Sequence, residues 1–187
     1  MSGEAIAEGR LEDNERVVVR GAAANRLYSW GFGELEEPGK LNLTVYEAAY
    51  LAEEGNLAVV DEAGKALDFQ TLVGRLSGSI KGFWINYVVY RDLKRRRYHV
   101  KHGVVPSLYL MVYEKGKRDS AKYFVFPMFE GFPVKVSELM ELIWHSKSVG
   151  KQLLLAIVDR RGEVIYYTCS EVSPTNVVSE RASVIGD

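Results

Sequence analysis

Ser148-Val149-Gly150-Lys151-Gln152-Leu153-Leu154-Leu155-Ala156-Ile157-Val158-Asp159-Arg160-Arg161-Gly162-Glu163-Val164-Ile165-Tyr166-Tyr167-Thr168-Cys169 contains a helix end, a strand, a tight turn and a second strand. Gly150 is a natural helix stop. Leu153 to Val158 is the densest apolar run of the chain, and its length suits a strand. Asp159-Arg160-Arg161-Gly162 reads as the turn of a hairpin. Beyond it Val164, Tyr166 and Thr168 alternate with Ile165, Tyr167 and Cys169, the period of a strand. Upstream, Ser137 is expected to cap a helix running to about Ser148, with Leu139, Leu142 and Ile143 inward. A helix feeding a buried strand and a hairpin predicts a sheet covered by helices, and so an α/β or α+β fold.

The same alternation extends toward the N-terminus. Lys122–Met128, Leu108–Tyr113 and Tyr98–Lys101 are expected strands, separated by a charged loop around Gly116 and a turn from Gly103 to Ser107. Ile80–Arg95 carries Trp84, Tyr87, Val88 and Arg91 at helical spacing and is expected to be the long helix joining two halves. Further back, Asp68 is placed to cap a helix to Leu76, broken by Ser77-Gly78-Ser79, and Leu57–Val60 reads as a strand. Thr44-Val45-Tyr46-Glu47 has the spacing of a capping box. Glu34–Lys40 reads as a polar loop, Ala22–Trp30 as a short helix and Val17-Val18-Val19 as a buried strand. Residues 1–15 show no clear hydrophobic period and are expected to be loose. The expected organisation is a mobile start (1–15), a small N-terminal α/β domain (16–95), a C-terminal domain with a mixed sheet flanked by helices (96–172) and a mobile tail (173–187).

Composition narrows the class. Apolar residues are 47% and charged residues 26% of 187, the profile of a soluble globular chain. No stretch approaches the ~20 apolar residues of a membrane span, and Met1 to Arg16 is too polar for a signal peptide. A cytoplasmic protein without membrane contact is expected. The single cysteine, Cys169, has no internal partner and is expected to be an inert, buried thiol. The formal net charge of −1 leaves any nucleic-acid contact to a local patch or a partner. Abundant Arg, Lys and Glu beside two glutamines, Gln70 and Gln152, hint at a thermophile. Paired acids followed by Glu-x-Lys, the pattern of metal-dependent nucleases, do not occur. His99 and His102 lack acidic companions at ligand spacing. No metal and no cofactor are expected.

Four stretches together resemble the archaeal tRNA-intron endonuclease family, over roughly residues 17–170. They are Leu27-Tyr28 to Gly33 with Leu43-Thr44 and Glu47–Leu51; Tyr90–Lys94 with Tyr98–Lys101 and Gly103; Ala121–Val125; and Ser148–Leu153 continuing to Tyr167. The resemblance implies a small α/β domain followed by a nuclease-like domain. It also implies four-unit assemblies, of identical chains or of catalytic and structural chains in pairs. Such assemblies cut the bulge-helix-bulge of precursor tRNA without a metal, leaving 2′,3′-cyclic phosphate and 5′-OH ends.

That reaction needs a base for the 2′-OH, an acid for the leaving 5′-oxygen and a cation for the charge on phosphorus. The family's tyrosine, histidine and lysine resemble that set. Here the tyrosine position falls on Tyr113 and the lysine position on Lys151, but the histidine position falls on Ser120. A serine hydroxyl cannot protonate an alkoxide near neutral pH. Other departures agree: Pro106-Ser107 replaces a Phe-Gly pair, Trp144 stands where an arginine helps hold the bulged base, and Gly150 replaces the arginine before the lysine. The expectation is a structural subunit that assembles with a catalytic endonuclease subunit, two plus two, around precursor tRNA. A self-sufficient nuclease, with its acid from His99 or His102, and a non-enzymatic RNA-binding protein are the alternatives.

Each site residue also has a plainer reading. Tyr113 can be a packed strand-end ring, and Lys151 a cation at a helix C-terminus. Lys94, Arg95, Arg96 and Arg97, with Lys101, form a possible RNA contact or a solvated helix end. By resemblance, the last strand (Glu163, Val164, Ile165, Tyr166, Tyr167) is expected to pair with the same strand of the other subunit. An acidic hairpin tip, here Asp159, Gly162 and Glu163, is expected to enter a basic cleft of the catalytic chain. The same tip also reads as an ordinary solvated β-turn.

Overall fold

Alternate positions Ala7, Gly9 and Leu11 of the first strand face inward, and the small Ala7 and Gly9 allow close approach of the neighbouring strands. The computed structural model describes residues 7–13, 16–103, 110–114 and 120–170. Strand β1 (Ala7–Glu12) buries those three side-chain positions and exposes Glu8 and Arg10. It pairs antiparallel with β2 (Arg16–Arg20) and parallel with β5 (Leu57–Val60). The expectation of a loose segment over residues 1–15 is therefore wrong for residues 7–12. A period of two carried by Ala and Gly is too weakly apolar to stand out in sequence. The expected tail, 173–187, lies outside the described residues.

The N-terminal sheet is completed by β3 (Glu34–Glu37), β4 (Lys40–Thr44) and β6 (Ala66–Leu67), in the order β3-β4-β2-β1-β5-β6. Glu34–Lys40 is thus a hairpin with β4, not the expected loop. All residues of β3 are exposed; an edge strand can keep its carboxylates in water, so it imitates a polar loop. Helices α1 (Ala22–Ser29), α2 (Val45–Glu53) and α3 (Phe69–Ser79) follow their signals. Thr44 caps α2 in a complete capping box with Glu47. Asp68 caps α3, which runs through Ser77-Gly78-Ser79 to Ser79 instead of breaking there. A Cβ on Gly78 would meet nothing, and Ser79 Oγ donates to Arg75 O at 3.1 Å, so this exposed last turn is satisfied locally.

Helix α4 (Phe83–Arg95) starts after Gly82, which adopts φ 73. Its burial is broader than a stripe: Phe83, Ile85 to Tyr90 and Leu93 are all buried. Trp84 is 43% exposed. On one side α4 meets α2 and α3; on the other it meets the C-terminal sheet. That sheet orders as β11 (Val164–Cys169), β10 (Gln152–Val158), β9 (Ala121–Phe129), β8 (Leu110–Tyr113) and β7 (His99–His102). β9 and β10 are parallel, joined through α5 (Val136–Ser148), and the other pairs are antiparallel. Val100, Val112, Val125, Ala156 and Val158 face the core shared with α4, while Phe124 and Leu153 pack with Leu142 and Ile143 of α5. The fold is mixed α/β, with a small α/β unit followed by a mixed sheet flanked by helices, as expected. Lys135, not Ser137, occupies the N-cap position of α5, and no side chain caps it. The open N-terminal turn leaves its N–H groups to solvent.

A Cβ added to Gly9 would sit 2.5 Å from Val17 Cγ1 and 3.2 Å from Val19 Cγ2. Gly9→Val is expected to destabilise the chain by about 1–3 kcal/mol through overpacking, measured as a lower midpoint in chemical denaturation. An unchanged midpoint would show that β1 does not bear on the core.

Candidate functional site

Lys151 is placed by the way α5 ends. Gly150 takes φ 67, the left-handed conformation that glycine adopts without steric penalty. Its N–H donates to Lys147 O at 3.0 Å, and the Lys151 N–H donates to Ser146 O at 2.7 Å. This is a Schellman arrangement, which closes the last carbonyls of the helix and turns the chain into β10. The Lys151 side chain then reaches the neighbouring strand, where its Nζ donates to Ser120 Oγ at 2.6 Å. Ser120 immediately precedes β9, and the next residue, Ala121, is the cross-strand partner of Tyr113. Tyr113, Ser120 and Lys151 thus gather at one end of the C-terminal sheet.

Tyr113 is 9% exposed and closes β8 beside a register shift. Its ring meets the His99 imidazole edge-on, with centroids 5.0 Å apart. His99 is its direct cross-strand partner on β7, so it lies on the side of Tyr113 away from Ser120. Neighbouring strands are about 4.8 Å apart, so the backbones of β7 and β10 stand about 14 Å apart. The second histidine, His102, lies parallel to Tyr46 at 5.0 Å. Burial pulls its imidazole pKa down, with a backbone hydrogen bond to Gly103 opposing. Tyr46 in turn stacks on Phe83 at 5.2 Å and Phe83 on Tyr87 at 5.9 Å. Tyr113, His102 and Tyr90 line a cavity of about 520 Å³ between the two sheets.

Lys151 lines a different concavity, of about 430 Å³, with Lys122, Lys147, Ser146 and Cys169. Lys122 and Lys147 are the residues that sequence reading missed. Lys122 is the exposed position next to Ala121 on β9, and Lys147 sits one turn from Lys151. Each is an unremarkable surface lysine in sequence, and only the parallel β9–β10 pairing brings them together. Cys169 is partly buried against the α5 core, and burial raises its thiol pKa. Trp144 is 64% exposed on α5. Pro106-Ser107 lies outside the described residues. No group of three or more His, Cys, Asp or Glu suited to a metal is found among the described residues, and no described helix is long and apolar enough to cross a membrane.

The basic run is largely engaged by acids. Arg95 pairs with Glu54 at 3.1 Å, Arg96 with Asp92 at 2.8 Å and Lys101 with Glu34 at 3.2 Å. Lys94 Nζ sits over the Phe32 ring at 3.9 Å, and Arg97 adopts φ 65 at the turn after α4. At the hairpin, Asp159 Oδ1 accepts from the N–H of Arg161 at 2.8 Å and of Glu163 at 2.9 Å. Those backbone donors, Glu163 first, lower its pKa. Asp159 therefore holds its own turn. Glu163 is exposed, and Gly162 takes φ 81. β11 is the sheet edge. Val164 and Tyr166 turn toward the core, and Tyr166 Oη donates to Asp92 at 2.8 Å. Ile165 and Tyr167 remain 55% and 54% exposed.

Comparison with known proteins places this geometry. The family model described as tRNA intron endonuclease, N-terminal domain, matches residues 7–73. That described as tRNA intron endonuclease, catalytic C-terminal domain, matches residues 83–166. A tRNA-splicing endonuclease of Pyrococcus horikoshii is 36% identical over 80% of this chain and 86% of its own. One of Thermococcus onnurineus is 32% identical over 86% of this chain and 93% of its own. One of Methanococcoides burtonii is 33% identical over 82% of this chain but 43% of its own. The chain spans about half the length of that relative and of the Methanosarcina relatives it matches.

A lowered imidazole pKa favours folding above the unfolded value and loses that contribution as pH falls through the folded one. For His102 the loss begins below about pH 6.5. His102→Phe, which keeps a ring against Tyr46, is expected to lose less stability than the parent between pH 7 and pH 5. Denaturant midpoints at the two pH values measure this, and equal slopes would contradict it.

Proposed function

The chain belongs to the tRNA intron endonuclease family, and from that premise we propose that it is the structural subunit of a tRNA-splicing endonuclease. It assembles two plus two with a catalytic chain to cut introns from precursor tRNA at bulge-helix-bulge sites. One observation carries the reading. At the position of the family's histidine stands Ser120, and its Oγ accepts a hydrogen bond from Lys151 at 2.6 Å. A serine hydroxyl is too weak an acid to stand in for an imidazole at the leaving alkoxide near neutral pH, and Lys151 is read as the charge-stabilising cation. Loss of a general acid lowers a rate by about 10²–10⁴-fold. Tyr113 and Lys151 then remain as remnants of a cleaving site. The edge strand β11, with Ile165 and Tyr167 exposed, supports pairing with the partner's last strand. The hairpin tip around Gly162 and Glu163 makes the second contact, with Asp159 shaping the turn through Oδ1 while keeping its negative charge.

The His99 ring beside Tyr113 favours a second reading, a self-sufficient nuclease whose acid is His99. Its place across Tyr113 from Lys151 weighs against it, because acid and cation would approach one phosphate from separated strands.

The purified chain is expected to leave precursor tRNA uncut and to support cleavage once mixed with a catalytic subunit. Ser120→His by itself is expected to restore no activity, since Trp144 and Gly150 also differ from catalytic chains. Robust cleavage by the single chain, abolished by His99→Phe, would establish the second reading instead.

A further inference from the structure

We propose that the cavity between the two sheets is a binding site for an amino-bearing nucleobase. The site itself stands on geometry; the choice of a nucleobase rests on the reading that this chain works on RNA. Among the described residues four buried side-chain polar atoms have no protein partner: Asn42 Oδ1, Asn86 Oδ1, Tyr90 Oη and His102 Nε2. Three of them belong to residues on this one lining, Asn42 of β4, Tyr90 of α4 and His102 of β7. A buried polar atom without a partner costs free energy, so three of the four around a single cavity mark where a further molecule completes the structure. Tyr90 is only 2% exposed. The volume, about 520 Å³, falls within the roughly 300–1,000 Å³ of small-molecule sites. Tyr113 also touches the lining, but Ser120 and Lys151 do not, so the site differs from the corner where α5 ends.

The three atoms set the ligand's hydrogen bonds. Asn42 Nδ2 donates to Glu36 at 3.1 Å, which leaves the amide oxygen to accept. The Gly103 backbone bond raises the His102 pKa, as a bond donated by the ring does, so Nε2 of the neutral imidazole is an acceptor. Tyr90 Oη both donates and accepts. Two acceptors and a hydroxyl call for a ligand with N–H donors. Charge on the lining is already paired: Arg16 with Glu12 and Lys101 with Glu34, each at 3.2 Å, while Glu47 holds the Gly33 and Thr44 N–H groups. A neutral ligand follows. Its shape is flat, because Tyr46 stacks on both Phe83 and His102, within 12° of parallel, and Tyr46 and His102 both belong to the lining. The amino groups of adenine and cytosine donate, whereas uracil, like thymine, presents a carbonyl oxygen instead. No covalent step is involved.

The experiment is isothermal titration calorimetry of the full chain with adenosine, cytidine and uridine, and with a short RNA helix with or without an unpaired adenosine. Adenosine and cytidine are expected to bind about 10-fold more tightly than uridine, which leaves a buried acceptor unpaired. Tyr90→Phe and His102→Phe keep the rings, and each is expected to weaken adenosine binding about 10-fold. Tyr90→Phe is also expected to hold or raise the denaturation midpoint, since its hydroxyl has no protein partner to lose. A free nucleoside and a base extruded from RNA are two sources of the same ligand. Heat with nucleosides identifies the first, and heat only with the RNA carrying the unpaired adenosine identifies the second; in both cases the two variants must weaken it. No binding from either source, as for a cavity that holds water only, would overturn the proposal. Binding unchanged in both Tyr90→Phe and His102→Phe would do the same. Cleavage of precursor tRNA by the single chain would sink the structural-subunit reading and leave the titrations to judge this site.

Discussion

The thirteen residues of α4, Phe83–Arg95, lie between the helices of the N-terminal unit and the sheet of the C-terminal unit, and both need the same side chains. Tyr87 stacks on Phe83, Phe83 on Tyr46 and Tyr46 on His102, a column of rings from α4 through α2 to β7. The Tyr87 hydroxyl donates to Glu53, and Arg91 pairs with the same carboxylate at 3.1 Å. Tyr90 is 2% exposed, and its hydroxyl has no protein partner. An unsatisfied hydroxyl costs about 1–3 kcal/mol. Burying a tyrosine removes about 150–250 Å² from water, worth about 4–6 kcal/mol at 25 cal/mol per Å², so burial wins. The strand ends that carry Tyr113 and Lys151 inherit their positions from this shared helix.

A second polar anchor fixes α2 to the strand before it. Glu47 is buried, and its carboxylate accepts from Thr44 N at 2.8 Å and from Gly33 N at 2.9 Å. Burial raises its pKa, and those donors with the Lys94 charge pull the other way. The capping box thus does more than start a helix: it ties the loop after α1 to the start of α2. Lys94, which covers Phe32, belongs to this structure as much as to any surface for RNA.

Charge on this molecule divides into two kinds. Along the end of α4 and on β7, cations face carboxylates a few ångströms away, and surface pairs of that sort add little stability and leave little field. Beside Lys151 the lining of the concavity holds lysines and, among the described residues, no Asp or Glu, while Glu114 pairs with Lys122 from outside it. On the proposed reading, in which Ser120 stands in an imidazole's place, the corner would lose its chemistry faster than its affinity, because catalysis needs one group of suitable pKa and binding needs only the sum of charges.

Local rules were sufficient for much of this fold. The Thr44–Glu47 box, Asp68 as a cap, Gly150 as a stop and the Asp159–Gly162 turn act within four or five residues of chain, and each forms as its spacing dictates. Strand β1 was not legible, because Ala and Gly signal burial only when a neighbour such as Val17 closes on them. Nor was β3, an acidic edge that looks like a loop until β4 pairs with it. The His99–Tyr113 contact and the cluster of Lys122, Lys147 and Lys151 lie further out of reach. They join residues whose separation in sequence carries no period, and register between strands brought them together.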